Sequence, residues 1–175
     1  MTTHSRSTGL VLGAATVAMG LIAGVYYIFA CCVMPALARS DDRVYVEVMR
    51  DINDVIQNPV FLLGFLGAPL LTAVSAWQLR GLPHRRWVWA GLAACALGLL
   101  TTLAVSIPLN DALARTADPA AARAHFEDPW VAWNVVRAVL STAALGCLAR
   151  ALFLHGRVTR GAARHRPDTV GVSGM

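Results

Sequence analysis

Long apolar stretches almost free of charge alternate with short polar segments along this chain. Apart from one arginine, no acidic or basic residue occurs in four ranges, 7–38, 55–79, 87–110 and 129–149. The apolar core of a bilayer is about 30 Å thick, and a helix needs roughly 20 residues to cross it. We therefore predict four membrane-spanning helices, at about 9–37, 59–79, 87–108 and 129–153.

The composition agrees with a membrane protein. Of the 175 residues, 57% are hydrophobic and 14% are charged, whereas about 25% of the residues in a soluble domain are charged. The predicted fold class is all-α: an integral membrane four-helix bundle with short amphipathic helices capping its extracytoplasmic side. We assign residues 1–155 to a single four-span domain, and we predict that the arginine-rich segment 156–175 is a disordered basic tail in the cytoplasm.

The distribution of arginine predicts the orientation of the bundle. Nine arginines fall on the side of the two termini and the short 80–86 loop, namely Arg6, Arg80, Arg85, Arg86, Arg150, Arg157, Arg160, Arg164 and Arg166. Five arginines and nine of the ten acidic residues fall on the other side. Since basic residues accumulate in cytoplasmic loops, we predict a protein of the plasma (inner) membrane with both termini in the cytoplasm. The net charge of +5 follows from this topology, so no nucleic-acid partner is predicted.

The first long loop carries the pattern of an amphipathic helix. Apolar side chains recur through it at helical spacing, at Tyr45, Met49, Ile52 and Ile56. Asp41 and Asp42 precede this pattern and are typical of a helix N-terminus, and Asn58-Pro59 interrupts it. We predict a helix that lies over the outer end of the bundle as a lid.

The second long loop contains two Asp-Pro pairs. Each joins a helix-capping residue to a proline that suits the first helical turn. Asp118-Pro119 is predicted to open a short helix with the sequence AAARAHF, and Asp128-Pro129 is predicted to open the fourth span. The short helix would cover the outer end of the bundle beside the lid.

Lines of small residues predict which helix faces are packed, because small residues allow membrane helices to approach closely. In the first span such a line contains Gly13, Gly20, Gly24, Tyr27, Cys31 and Met34, and in the third span it contains Gly91, Ala94 and Gly98. We predict that the first line points into the bundle, with Tyr27 and Met34 as apolar walls near its outer end. The four cysteines show no metal-ligand spacing, and we interpret them as packing residues.

An arginine inside the fourth span is the most informative polar residue of the chain. Four residues of this helix fall close to one line, Trp130, Asn134, Arg137 and Ser141, and Trp133 flanks them. Burying an arginine in a membrane costs roughly 3 kcal/mol, so such charges normally face the bundle interior and indicate a functional site. Because no acidic residue lies inside a predicted span, Arg137 has no salt-bridge partner within the spans.

Polar residues at the outer ends of neighbouring spans are candidate partners for Arg137. These are Asn53, Asn58, Asn110 and Asp111, with Tyr27, Met34, Trp130 and Trp133 as the surrounding walls. One interpretation is that Asn110 and Asp111 satisfy the guanidinium and so lock the helices together. The other is that the guanidinium binds an oxygen-bearing ligand that arrives from the lipid or from beneath the lids.

Four segments follow one another within about residues 10–155: GVYYIFACCVMPAL, NDVIQNPVF, SIPLND and PWVAWNVVRAVLSTAAL. In this order and spacing they resemble the small four-helix membrane family that includes the anthrone oxygenases. Characterised members convert an anthrone to an anthraquinone with molecular oxygen and no known metal or flavin. The resemblance implies site residues at Asn110, Trp133, Asn134 and Arg137. It also implies a lipophilic phenolic, anthrone or quinone-like small molecule as substrate, in a protein embedded in the lipid bilayer.

The implied chemistry suits these residues. An anthrone must lose a proton to give an enolate, and Arg137, helped by Asn110 or Asn134, would stabilise the developing oxyanion. His125 in the second loop is the candidate base, because histidine is the side chain that most often plays this role.

Two functions follow from the sequence. The first is a cofactor-independent oxidoreductase of the monooxygenase type. The second is a non-catalytic membrane protein, a partner subunit or a module that binds a lipid or small molecule, in which Arg137 is structural. All five histidines lie outside the predicted spans, so no haem site is predicted between the helices, and no metal or other cofactor is predicted. The sequence does not indicate an oligomeric state.

Overall fold

The computed structural model describes the backbone of residues 2–164 and the side chains of residues 7–161, and this part of the chain forms five helices. Helix α1 covers Thr2–Ile28 and continues through Phe29–Val33 to Met34–Leu37. Helices α2 and α3 cover Asp42–Val55 and Pro59–Gln78. Helix α4 covers Arg85–Thr101 and continues through Thr102–Ser106 to Ile107–Arg115, and helix α5 covers Pro119–Arg164.

Four of these helices are long and apolar enough to cross a membrane, as expected of an integral membrane protein. The candidate spans are Ser7–Leu37, Pro59–Gln78, Arg85–Arg115 and Pro119–Gly161. The prediction of an all-α bundle with four spans is therefore confirmed. The first, third and fourth helices extend beyond the predicted limits, because polar residues at their ends continue the helix instead of stopping it.

Helix α2 is the predicted lid. The side chain of Asp41 accepts a hydrogen bond from the backbone N–H of Val44 at 2.9 Å, which caps the start of the helix. Tyr45, Val46 and Met49 on one face of the helix are buried. The lid helix and its start were therefore predictable from the periodicity of the loop.

The second loop differs from its prediction, because α5 is one continuous helix. Asp118 caps its start, as expected, by accepting from the backbone N–H groups of Ala120 and Ala121. No break occurs at Pro129, which lies inside the helix. A contact across this position joins the two parts, because the Phe126 ring stacks on Trp130 with the ring centres 5.8 Å apart. The predicted short separate helix is therefore wrong.

The far end of α5 also extends past its predicted limit. The helix continues to Arg164, so the segment 156–164, predicted to be disordered, is helical in this structure. The rest of the predicted tail, 165–175, lies outside the described residues.

Two apolar clusters fill the two ends of the bundle. The lid cluster consists of Met34, Tyr45, Val46, Met49, Leu113, Ala122, Phe126 and Trp130. The base cluster, at the opposite end, consists of Leu12, Ala15, Met19, Ala68, Ala76, Leu79, Val88, Cys95, Ala144, Leu148 and Ala151. Removal from water stabilises the lid cluster by about 2 kcal/mol for each large side chain. Within lipid, the base cluster depends on van der Waals packing.

The buried face of α1 is not the predicted one. Leu12, Met19 and Tyr26 point inward, whereas Gly24 and Tyr27 are exposed. A membrane helix is apolar on all sides, so its hydropathy does not indicate which side is buried. The buried face of α1 combines large residues such as Leu12 and Met19 with the small residues Ala15 and Ala23, and Gly24 of the predicted line is exposed.

One glycine lies at a close helix contact. A Cβ atom at Gly91 of α4 would lie 3.4 Å from the Ala144 carbonyl oxygen and 3.4 Å from Cys147 and Leu148, all on α5. Gly13 and Gly98, from the other predicted positions, have open space at the corresponding point. The small-residue lines therefore mark a close helix approach at Gly91 but not at every position.

Two histidines meet at the base of the bundle. The rings of His84, in the short loop, and His155, on α5, are 5.5 Å apart in an edge-on arrangement, and both side chains are buried. The sequence places His155 just past the predicted fourth span, so this pairing could not be foreseen. Among the described residues, no group of three or more histidine, cysteine or acidic side chains could hold a metal ion.

Candidate functional site

A cavity of about 540 Å³ lies between the lid cluster and the base cluster. All five helices contribute to its walls. The apolar part includes the aromatic residues Phe29, Phe61, Phe65 and Trp130. The polar part includes Asn53, Ser106, Asn110, Asp111, Asn134 and Arg137. Mostly apolar walls with a few convergent polar groups are typical of a site for a small organic molecule.

Arg137 points into the bundle, as predicted, and is 5% exposed. Its guanidinium carbon lies 4.6 Å from the centre of the Tyr26 ring and 5.3 Å from that of Trp130. Among the described side chains, salt bridges form at Arg43 and Arg123 but none forms at Arg137. Aromatic faces therefore take the place of a carboxylate, and each contributes about 2 kcal/mol to a buried guanidinium.

Asn134 holds the guanidinium in place. Its side-chain N–H donates to the backbone oxygen of Tyr26 at 3.1 Å, and its oxygen accepts from Nη2 of Arg137 at 3.2 Å. The amide is 1% exposed and links α5 to α1 while it orients the arginine. The Nε atom of Arg137 is buried in a wall of the cavity and has no hydrogen-bond partner among the residues that the structure describes.

Asn110 is engaged elsewhere. Its side-chain oxygen accepts from the indole N–H of Trp130 at 2.9 Å. The Trp130 ring packs between Phe126 and Phe29, at 5.8 Å and 5.7 Å. The structure therefore does not show the predicted arrangement in which Asn110 and Asp111 accept hydrogen bonds from Arg137. Asn110 instead fixes an aromatic wall of the cavity.

Two π-helical turns border the cavity. Phe29–Val33 in α1 and Thr102–Ser106 in α4 carry backbone hydrogen bonds that span five residues, from Met34 N–H to the Phe29 oxygen and from Ile107 N–H to the Thr102 oxygen. Such turns are rare and occur often at functional sites. Phe29, Thr102 and Ser106 all line the cavity.

Several predicted site residues lie elsewhere. Tyr27 is 63% exposed on the outside of α1, and Trp133 is 40% exposed, and neither lines the cavity. Met34 is buried in the lid cluster. His125 is exposed and does not line the cavity. Trp133 and Tyr27 point away because they are one residue away from Asn134 and Tyr26, a rotation of about 100° on a helix.

Of the three other polar residues predicted for the site, two line the cavity and one caps a helix. Asn53 and Asp111 line the cavity near the lid. Asn58 does not line it, and its side-chain oxygen instead caps α3 by accepting from the backbone N–H of Phe61 at 3.0 Å.

Several cavity residues were missed by the sequence reasoning, among them Tyr26, Ser106, Arg50 and Asp54. A tyrosine and a serine within apolar spans are weak signals, and Arg50 looks like one of several loop charges. Only the packing of the helices against one another shows that these side chains line one cavity.

Arginines fasten the lid over the cavity. Arg50 of α2 donates to the backbone oxygen of Leu113 at 2.8 Å and to that of Thr116 at 2.7 Å, at the end of α4. On the other side, Arg123 donates to the backbone oxygens of Ala38 and Ser40. The Arg123 guanidinium also covers the ring of Tyr45 at 4.6 Å. Burial raises the pKa of Tyr45 above its ordinary value, so the phenol stays neutral beneath the arginine.

This arrangement has a definite chemical capacity. The fixed guanidinium lies in the wall of a largely apolar cavity, where its donors would stabilise negative charge on a ligand oxygen. Asp54 and Asp111 line the same cavity and are able to accept a proton.

Comparison with known proteins gives one family match. A family model described as anthrone oxygenase matches residues 56–147, more than half of the chain. The matched region contains α3, α4 and the part of α5 that carries Asn134 and Arg137, whereas α1 with Tyr26 lies outside it. No curated protein and no solved structure matches this chain.

Proposed function

This chain belongs to the anthrone oxygenase family, and from this premise we propose that it is a membrane-embedded oxygenase. Its substrate is a lipophilic phenolic, anthrone or quinone-like small molecule, which reacts with molecular oxygen without a metal or flavin. The observation that carries the proposal is the buried Arg137, whose Nε has no partner and which lies in the wall of an aromatic cavity of about 540 Å³.

The proposed reaction begins with proton loss from the substrate. The CH₂ group of an anthrone is acidic because the resulting enolate is aromatic. The guanidinium of Arg137 stabilises the enolate oxygen, which lowers the barrier to this step. The enolate then passes electrons to oxygen. In the balanced reaction, one atom of oxygen becomes the new carbonyl, and the other leaves as water with the two hydrogens of the CH₂ group.

A carboxylate takes the proton in this proposal. Asp111 and Asp54 line the cavity, whereas His125, the base expected from the sequence, is exposed outside it. A base has to reach the proton that it removes. Asp111 on α4 and Asp54 on α2 are therefore the candidate bases.

Oxygen consumption by the purified protein tests the proposal. We expect the protein in detergent to convert anthrone to anthraquinone faster than the protein-free solution does, with no added metal or cofactor. Arg137→Lys keeps the charge but loses the planar donor group, and we expect it to lower the rate about a hundredfold. The control is Arg150→Lys, at an exposed position of the same helix. Equal rates with and without the protein would refute the enzyme function.

A second candidate function has its own supporting observation. Arg137 and Asn134 join α5 to α1 through Tyr26, so the cluster also stabilises the bundle. In a non-catalytic partner subunit, or a module that binds lipid, this would be its whole role. Arg137→Gln would then lower the melting temperature, and no aromatic ketone would raise the melting temperature of the wild-type protein. Ligand-dependent stabilisation separates the two functions, because a ligand that binds the folded state raises apparent stability.

The distribution of arginine supports a plasma-membrane location with both termini in the cytoplasm. Labelling of single cysteines with a membrane-impermeant maleimide tests this orientation in a background without the native cysteines. Ala117→Cys, in the connection before α5, is expected to react in intact cells, and Gly81→Cys, in the short loop, only after lysis. The opposite pattern would reverse the orientation.

A further inference from the structure

Ser106 is a buried hydroxyl without a hydrogen-bond partner in the wall of the cavity. Its side chain is 2% exposed, and its Oγ atom makes no hydrogen bond in the structure. It lies on α4, and Arg137 lies on α5 in the wall of the same cavity. A buried polar atom without a partner is unfavourable, and such an atom in a native structure calls for an explanation.

Other hydroxyls in the membrane helices behave differently. Several donate to the backbone oxygen four residues earlier: Thr16, Thr72, Ser75, Thr101 and Thr102. This local bond is the usual solution for a serine or threonine in an apolar helix. Ser106 does not make it.

The π-turn accounts for this difference. Ser106 is the last residue of Thr102–Ser106, and the backbone oxygen of Thr102, four residues earlier, accepts the N–H of Ile107. The wider turn therefore leaves the Ser106 hydroxyl free to bond with a molecule in the cavity. Arg137 Nε is likewise buried without a partner in the wall of this cavity.

We propose that Ser106 is a ligand-binding residue that selects molecules with a second oxygen atom. This inference rests on the proposed function, in which Arg137 binds the first oxygen. A serine hydroxyl both donates and accepts, so the second oxygen is a hydroxyl or a carbonyl. The aromatic side chains of Phe29, Phe61, Phe65 and Trp130 line the same cavity and suit a planar ring system.

The test compares 9-fluorenone, which has one oxygen, with its four monohydroxylated isomers, which place a second oxygen at different positions. Binding to the purified protein is measured from quenching of tryptophan fluorescence and from the shift in melting temperature. We expect at least one hydroxylated isomer to bind the wild-type protein about threefold to tenfold more tightly than fluorenone, the range expected for one added hydrogen bond.

Ser106→Ala is expected to abolish this preference and to leave the affinity for fluorenone unchanged. Because the hydroxyl makes no bond in the protein, the variant is expected to keep the melting temperature of the wild type. The matched control is Ser75→Ala, which changes a fully buried serine of α3 that does not line the cavity. This control is expected to keep the preference.

The possible results separate the two proposals. If fluorenone and all its isomers fail to bind the wild-type protein, the proposed function fails, and the assignment of Ser106 fails with it. If they bind but no isomer is preferred, or if Ser106→Ala keeps the preference, only the role of Ser106 is overturned. An equal loss of affinity for fluorenone and its isomers would also overturn the assignment of a second oxygen to Ser106.

Discussion

Tyr26 contacts Arg137 through its ring, whose centre lies 4.6 Å from the guanidinium carbon, and its backbone oxygen accepts the side-chain N–H of Asn134. Tyr26 on α1 therefore contacts the guanidinium directly and also holds the Asn134 amide, which orients the guanidinium. Since no acidic side chain among the described residues pairs with Arg137, this aromatic contact substitutes for a salt bridge.

Replacing this ring by an aliphatic side chain is expected to destabilise the protein. Tyr26→Leu removes the cation–π contact and should lower the free energy of unfolding by about 2 kcal/mol, whereas Tyr26→Phe keeps the ring and most of this stability. Thermal unfolding in detergent measures the effect. The neighbour Tyr27 provides the control, because Tyr27→Leu changes a side chain that is 63% exposed. If both leucine variants unfold at the same temperature, the buried face of α1 has been assigned wrongly.

Loosening the lid is expected to expose the cavity. Arg50→Met removes the hydrogen bonds to the backbone oxygens of Leu113 and Thr116. Hydrogen bonds from a charged donor contribute about 2 kcal/mol, so α2 should become more mobile. Hydrogen exchange of the backbone amides measures this mobility, and we expect loss of protection over residues 42–55.

Arg43→Met is the matched control for the lid. Arg43 pairs with Glu47 on the exposed face of the same helix, and exposed ion pairs contribute little. Its exchange pattern should match that of the wild type. Unchanged protection of α2 in Arg50→Met would show that the apolar contacts of the lid cluster are enough to hold it.

Acid is expected to weaken the base of the bundle at His84. Burial, and next the neighbouring His155, lower the pKa of His84 from its ordinary value of 6.5. Below pH 6.5 the unfolded chain then binds more protons at this position than the folded chain does. The contribution of a neutral, buried His84 to stability is therefore fully present above pH 6.5 and is lost as the pH falls toward the folded-state pKa of His84.

Melting temperatures measured between pH 5 and pH 8 check this dependence. The wild-type protein should lose stability on the acidic side, and His84→Asn should show a shallower loss. His125→Asn, at an exposed position, should follow the wild-type curve. A His84→Asn curve that runs parallel to the wild-type curve would refute the assignment.

Much of the fold could be predicted from the sequence. Four ranges that contain a single charged residue, Arg137, predict four spans, since ionised groups are costly in lipid. The period of Tyr45 and Met49 predicts the lid because one face of that helix meets water. Asp41 and Asp118 are found as helix caps because their chemistry is local. Pro129 misled the prediction, because the packing of Phe126 and Trp130 overrides the local preference of a proline to start a helix.

The candidate site could be predicted only in part. Arg137 and Asn134 stand out because polar groups in a membrane are costly, and the structure places both in the cavity. The partners of Arg137 could not be foreseen, because an aromatic side chain in a membrane helix is stable both in contact with lipid and in contact with a cation. Ser106 gave no distinctive signal, because a hydroxyl in an apolar helix ordinarily bonds to its own backbone.

The π-turn at Thr102–Ser106 divides α4 into two parts. The part before the turn contributes Val88 and Cys95 to the base cluster, and the turn and the part beyond it contribute Thr102, Ser106 and Asn110 to the cavity wall. Substitutions at or beyond a turn can therefore retune the ligand preference while the packing within the membrane stays as it is. In a small four-span bundle of this kind, the residues that contact the ligand can change while the residues that pack the base cluster stay the same.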